Sequence, residues 1–365
     1  LTSVVFASLT FLYGFLPVVL LAYYLVPRGD ARNVVLILAS LFFYAWGEPI
    51  WVSLLLISAF ADYVHGRVIE AHRGSWQAKA ALLSSLVVNL GLLGSFKYAA
   101  FITGTVNGLL GTGLPEPSFG LPIGISFYTF QTLSYAIDVY RGEVPAQRSA
   151  LRFLLFVSLF HQLVAGPIVR YKDIAQQINH REFSLPQFSS GITRFVVGLA
   201  KKVMIANVAG ELALPFLEGA GGTSVLGAWY GIFLFALQIY FDFSGYSDMA
   251  IGLGRMFGFE YMENFRYPYA ARSASEFWRR WHISLGTWFR DYVYIPLGGN
   301  RRAGLRNLLV VWFLTGLWHG ASWNFVLWGL YYGVLIGMER GLRTLLPRIS
   351  EARWLRPFGH LYLVV

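Results

Sequence analysis

Cysteine is absent from the 365 residues. That excludes disulfides, thiolate metal sites, a cysteine nucleophile and palmitoylation together. Charge is scarce as well: 13% of residues are charged and 56% are hydrophobic. A soluble globular domain carries about 25% charged residues, so this chain cannot coat its surface for water and lipid must cover much of it. A mean hydropathy of +0.53 agrees. There is no HExxH pattern, the seven His are scattered, and no metal is implied. Long Ser/Pro/Gly linkers, low-complexity tracts and internal repeats are also missing, and a cleavable signal peptide does not stand out. The chain starts at Leu1, so one or more residues are expected to precede it.

The net charge is +10. The basic residues are spread over many short loops, the pattern of a positive-inside membrane protein and not of a nucleic-acid binder. A transmembrane helix needs about 20 mostly apolar residues. Runs of that kind include Val4–Val26, Asn33–Gly47, Ile50–Ala61, Ala80–Phe96, Tyr98–Leu114, Phe119–Ile137, Phe153–Val169, Gly219–Phe241 and Asn307–Met338. The expected fold is all-α: one domain over 1–365, a polytopic bundle of roughly nine or ten spans by the length rule, with added interfacial or re-entrant helices. Gln187–Leu217 is amphipathic and suits an interface, while the Arg- and Trp-rich stretch Arg255–Arg306 reads as a cytoplasmic loop joining two spans.

Several residues could carry chemistry. The run Asn307–Met338 is too long for one span and contains His319 between Trp318 and Gly320. A helix starting near Gly304 would reach His319 after about 23 Å at ~1.5 Å per residue. Two readings are open: a general base in a pocket flanked by Trp318 and Trp323, or a neutral histidine fixing helix packing. His282 follows Arg279, Arg280 and Trp281, a set that could hold the phosphates of a donor or simply anchor the chain at the interface. Asp242 and Asp248 follow an uncharged run. Ser244 suits the cap of a new helix with Asp248 in its first turn, and Asp242 suits pairing with an Arg of the next segment. Gly329, Gly333, Gly337 and Gly341 form a ribbon for close helix approach.

These strings also carry a resemblance. FDFSGYSDMAIGLGRMFGF from Phe241, ENFRYPY from Glu263, EFWRRWHISLGTWFRDYVYIPLGGNR from Glu276 and LTGLWHGASWNFVLWG from Leu314 resemble the membrane-bound O-acyltransferase family, most closely its alginate O-acetyltransferase membrane-subunit branch. FYAWGEP from Phe43, LPIGISFYTFQ from Leu121 and AGPIVRY from Ala165 are similar to the same branch. The resemblance implies a multi-pass protein of the bacterial cytoplasmic membrane with His319 as the active-site histidine and His282 as a second. Arg279, Arg280, Trp281, Trp318, Asn324 and Asp242 are then expected to bind substrate or donor. It implies no bound cofactor. Acetyl-CoA or another acyl thioester would serve as donor, with an extracytoplasmic acetyltransferase and polysaccharide machinery as partners. D-Alanyl transfer to teichoic acid, a transporter, and a non-catalytic scaffold of an envelope polysaccharide machine are the alternatives. Two departures stand out. His161 occupies a place where similar sequences carry Pro, and the chain stops at Val365, where similar proteins continue with further helices.

Overall fold

The computed structural model describes residues 6–163, 166–218 and 224–345; the expected span beginning before Val365 lies outside them. Every regular element among these residues is helical. Besides a 3-10 turn at Pro268–Ala270 and π-helical turns at Lys201–Ala206 and Arg290–Tyr294, they are in chain order α1 (Phe11–Leu25), α2 (Asp30–Gly47), α3 (Val52–Ala71), α4 (Trp76–Leu110), α5 (Ile125–Arg141), α6 (Ala150–Ser158), α7 (Phe160–Leu163), α8 (Tyr171–Asn179), α9 (Leu185–Ala200), α10 (Asn207–Leu217), α11 (Val225–Met256), α12 (Ala274–Arg280), α13 (Ile283–Phe289), α14 (Gly304–His319) and α15 (Trp323–Leu345).

Among the described residues, α3, α4 and α11 are long and apolar enough to cross a membrane, and α1 is a shorter apolar helix. The length rule counted apolar residues in a row, but several such runs fold as shorter pieces. Phe153–Val169 takes in only the last six residues of the nine-residue α6 and the four-residue α7. Asn307–Met338 is divided between α14 and α15.

Contacts divide the chain into two units, one of Leu1–Ser85 with Phe130–Met262 and one of Leu86–Thr129 with Glu263–Val365. In the first unit, α9 and α11 cross on glycines. A Cβ at Gly191 would stand 2.7 Å from the carbonyl oxygen of Gly252, and one at Gly245 2.8 Å from that of Gly198. Only hydrogen at those positions lets the backbones come so close. Charges flank the crossing: Asp248 meets Arg194 and Lys201, each at 2.6 Å. Lys202 pairs with Asp242.

This corrects the capping expectation. The cap is Ser224, whose side chain accepts from the Gly227 amide at 3.1 Å. From there α11 runs unbroken for 32 residues, with Ser244 buried in its middle. A continuous backbone ladder needs no cap at Ser244, and two cations from the segment before α11 meet Asp248 in place of a helix dipole. Asp242 likewise pairs with a lysine of that earlier segment and not with an arginine of the next one.

The amphipathic segment is thus α9, a π-helical turn at Lys201–Ala206, and α10. Its polar face serves the ion pairs with α11. A second polar staple joins α3 and α4: Ser85 donates to Asp62 at 2.6 Å, and His65 lies 3.1 Å from both Asp62 and Ser84. His161 is fully buried in α7 with its Nδ1 2.7 Å from the Tyr261 hydroxyl. The helix breaks just before it, at Leu159 with ψ 114°, and resumes for the four residues of α7.

In the second unit α14 and α15 form an antiparallel pair around Gly320–Ser322. Gly329 sits against the Trp312 carbonyl and Gly316 against that of Phe325. Gly333 and Gly337 of the expected ribbon also face α14, through Trp312 and Leu305, while a Cβ at Gly341 would meet nothing within 4 Å.

Candidate active site

The short helix α12 owes its place to two carboxylates. Ser273 caps it, accepting from the Glu276 amide at 3.1 Å, and the Glu276 side chain reaches back to the Arg272 amide at 2.9 Å. Glu339 of α15 accepts from the Ala274 and Ser275 amides at 2.6 and 3.0 Å, meeting the positive end of the helix with a negative charge. That docking presses Trp278 onto Trp312, with ring centroids 4.7 Å apart and edge to face. Leu308 and Ile336 close the cluster.

His282 begins α13 from a left-handed backbone conformation, φ 46°, which a β-carbon makes costly. Asn264 holds it there. Its carbonyl accepts from the Ile283 amide at 3.0 Å, and its Oδ1 accepts from the Ser284 amide and hydroxyl at 3.1 and 2.9 Å. The same Oδ1 lies 3.3 Å from His282 Nδ1. An oxygen already taking a backbone proton can only accept, so Nδ1 carries the ring proton and Nε2 is the basic nitrogen. Burial, and then the neighbouring His319, push the His282 pKa well below the ordinary histidine value. The imidazole is neutral and available as a base.

Beside His282 opens a cavity of about 390 Å³. Its walls are apolar, from Trp278, Trp281, Leu285, Phe289, Trp312 and Ile336, with Thr315 as a polar point. Four arginines also line it: Arg279, Arg290, Arg340 and Arg343. Arg340 is fixed by donating to Tyr294 and Asn300 at 2.8 and 3.1 Å, and Arg290 by Asp291 at 2.7 Å. Among the described residues Arg279 and Arg343 have no ion pair. An apolar chamber with guanidinium groups on its lining suits a molecule that is apolar at one end and anionic at the other.

His319 ends α14 one layer behind this wall. Its ring stands edge to face against Trp318 and Trp328, both at 4.9 Å, and Trp318 is in turn 5.5 Å from His282. Its Nε2 is buried with no hydrogen-bond partner among the described residues, as is Nε1 of Trp278. Nε2 of His161 and the hydroxyls of Ser244 and Ser247 in the first unit are in the same condition; what sets Trp278 apart is the cavity it lines.

The structure thus gathers His319, His282, Trp318, Trp281 and Arg279 in one unit. Arg280 is different: it pairs with Glu276 at 2.6 Å and donates to the Arg266 carbonyl, away from the cavity lining. Asn324 is exposed in the first turn of α15, and Asp242 belongs to the first unit with Lys202. Trp323, expected beside His319, is half exposed with its ring on Phe101 and its indole donating to Thr105 at 3.2 Å. Trp328, five residues on, takes the expected place. Asn264, Trp328, Arg340 and Arg343 were missed. The string ENFRYPY held Asn264, and the helical spacing of Arg340 and Arg343 behind the glycine ribbon was a usable signal.

With this geometry in view, comparisons with known proteins are decisive. Residues 141–357 match the model of the membrane-bound O-acyltransferase family. The chain is 45% identical to a probable alginate O-acetylase of Azotobacter vinelandii, over 97% of this chain and 72% of that protein. This chain belongs to the membrane-bound O-acyltransferase family. It is 35% identical to the peptidoglycan O-acetyltransferase of Helicobacter pylori, over 90% of this chain and 69% of that protein. It is 29% identical to the teichoic acid D-alanyltransferase of Streptococcus thermophilus, over 88% and 78%. As a family member it is a membrane protein and an acyltransferase, and the matched segment carries both His282 and His319.

Proposed function

We propose that this chain moves an acetyl group from a cytoplasmic thioester donor, acetyl-CoA, to a hydroxyl of an extracytoplasmic polysaccharide or of a partner transferase, as a multi-pass protein of a bacterial cytoplasmic membrane. The observation that carries the reading is the cavity of the second unit, with Arg on its lining and two tryptophan-packed histidines at and behind its wall. Phosphates of the donor lie on Arg279 and its neighbours, and the acyl end lies toward Trp278 and His282. His319 Nε2 takes the proton from the acceptor hydroxyl. That oxygen attacks the acyl carbonyl, the carbon–sulfur bond breaks, and the departing thiolate receives the proton. Identity falling from 45% with an O-acetylase to 29% with a D-alanyltransferase supports acetyl over D-alanyl. The surplus of Lys and Arg in Arg255–Arg306 supports a cytoplasmic cavity mouth.

The test is His319→Ala beside His319→Gln, which keeps hydrogen bonding and removes the titratable base. Both should lower glycan acetylation by about 10²–10⁴-fold, the contribution of a positioned general base, with near-normal membrane yield. Wild-type acetylation by either variant would refute the assignment.

A further inference from the structure

Lys97 is a partly buried cation in the middle of the apolar helix α4, whose other cation, Lys79, is exposed in the first turn; a charge at such a depth is costly and carries a purpose. It lies in a π-helical turn, Gly94–Tyr98. Such a turn adds a residue to the helix and re-aims the side chains within it. Here it delivers two neighbouring donors to one target. Lys97 Nζ donates to the carbonyl of Trp318 and lies 3.2 Å from the Ser126 hydroxyl, and the Tyr98 hydroxyl donates to the carbonyl of Leu317 at 2.9 Å. Leu317 and Trp318 are in the last turn of α14. The final carbonyls of an α-helix have no partner inside it and form the negative end of its dipole. An ammonium and a phenol therefore close that end from outside, immediately before His319.

The contact extends to the rings. Lys97 Nζ is 5.7 Å from the Trp318 ring centre, and Phe127 stands against the same indole at 5.8 Å. Trp318 is edge to face with both His282 and His319. We propose that Lys97 is the positioning residue of the acyl-transfer centre: it fixes the end of α14 and, through Trp318, the orientation of both imidazoles. This rests on the assignment of His319 made above. Lys97 acts through its neighbours and not on the reacting atoms.

The experiment compares Lys97→Met, Lys97→Arg and His319→Ala, measuring transfer of label from acetyl-CoA to polysaccharide in producing-cell membranes, per molecule of folded protein. Lys97→Met should lower kcat by about 10²-fold, the scale of a misplaced catalytic group, with the KM for acetyl-CoA within about twofold. Lys97→Arg should recover about tenfold, since a guanidinium also donates to a carbonyl. Hydrogen exchange at the amides of residues 317–322 should quicken in Lys97→Met and return toward wild type in Lys97→Arg. A Lys97→Met kcat within twofold of wild type, or unaltered exchange, overturns the proposal. So does a loss that Arg leaves unrescued and that appears equally in KM. If His319→Ala transfers normally, the catalytic assignment fails separately, and exchange alone still decides whether Lys97 holds the end of α14.

Discussion

The crossings α9–α11 and α14–α15 are made by the same device, glycines that let two helices touch backbone to backbone, yet their polar groups differ. Around the first crossing the charges are paired: Asp248 has Arg194 and Lys201, and Asp242 has Lys202. Around the second, Nε2 of His319 is buried without a partner, and so is the indole nitrogen of Trp278 on the cavity wall. Ion pairs hold the first crossing together, although the hydroxyls of Ser244 and Ser247 beside it are also buried without a hydrogen-bond partner among the described residues. The second crossing differs in adjoining a cavity, whose wall includes Trp278. Position along an apolar sequence does not separate the two crossings; the ion pairs at the first and the adjoining cavity at the second do.

The sharpest way to break this comparison is Asp248→Ala. It strands Arg194 and Lys201 against α11, and removing one partner of a largely buried ion pair costs about 3–5 kcal/mol. Thermal unfolding in detergent should fall steeply and membrane yield should drop, while His319→Gln melts like wild type. Equal melting of the two variants would abolish the distinction between scaffold and site.

Smaller in effect, the arginine pair sharpens the comparison within the second unit. Arg279 lines the cavity and Arg280 is held by Glu276. Lys keeps the charge but loses the planar fork that grips a phosphate. Arg279→Lys should raise the acetyl-CoA concentration for half-maximal transfer by about five- to tenfold, or roughly 1–1.4 kcal/mol. Arg280→Lys should leave it unchanged. Donor titrations in reconstituted membranes decide, and equal shifts in both would remove the cavity's claim on the donor.

The smallest expected effect is a pH dependence from His282. Its folded pKa lies below the unfolded value of about 6.5. Unfolding therefore takes up a proton as the pH falls through 6.5, so the stability due to the neutral ring is present above that pH and lost below it. The unfolding free energy should decline more steeply between pH 7 and pH 6 in wild type than in His282→Gln, by at most about 0.7 kcal/mol. Parallel curves would show a ring that is not held neutral.

Much of the site was legible along the chain. A helix starting near Gly304 and a break around His319 were expected from the length of the apolar run, and the close approach at Gly329, Gly333 and Gly337 was expected from four-residue spacing. Ser244 misled because a Ser followed by Asp looks the same at a cap and inside a long helix whose carboxylate meets cations from elsewhere. Trp323 misled because adjacency in sequence was taken for adjacency in space: on a helix, the residue facing His319 was Trp328, one turn and a half further on. Arg280 was indistinguishable from Arg279 until Glu276 claimed it.

By itself the sequence determined the all-helical class, the lipid-facing composition and the family, and it singled out the two histidines as candidates, because each depends on residue type, local period or contiguous strings. The tertiary structure alone decided which polar groups meet: Asn264 under His282, Glu339 capping α12, Arg340 and Arg343 on the cavity lining, and Lys97 at the end of α14. The Lys97–Trp318 bond joins residues 221 positions apart. No local pattern encodes such a pairing. It follows from how helices stack, and stacking determines which donors and acceptors are satisfied and which are left for a substrate.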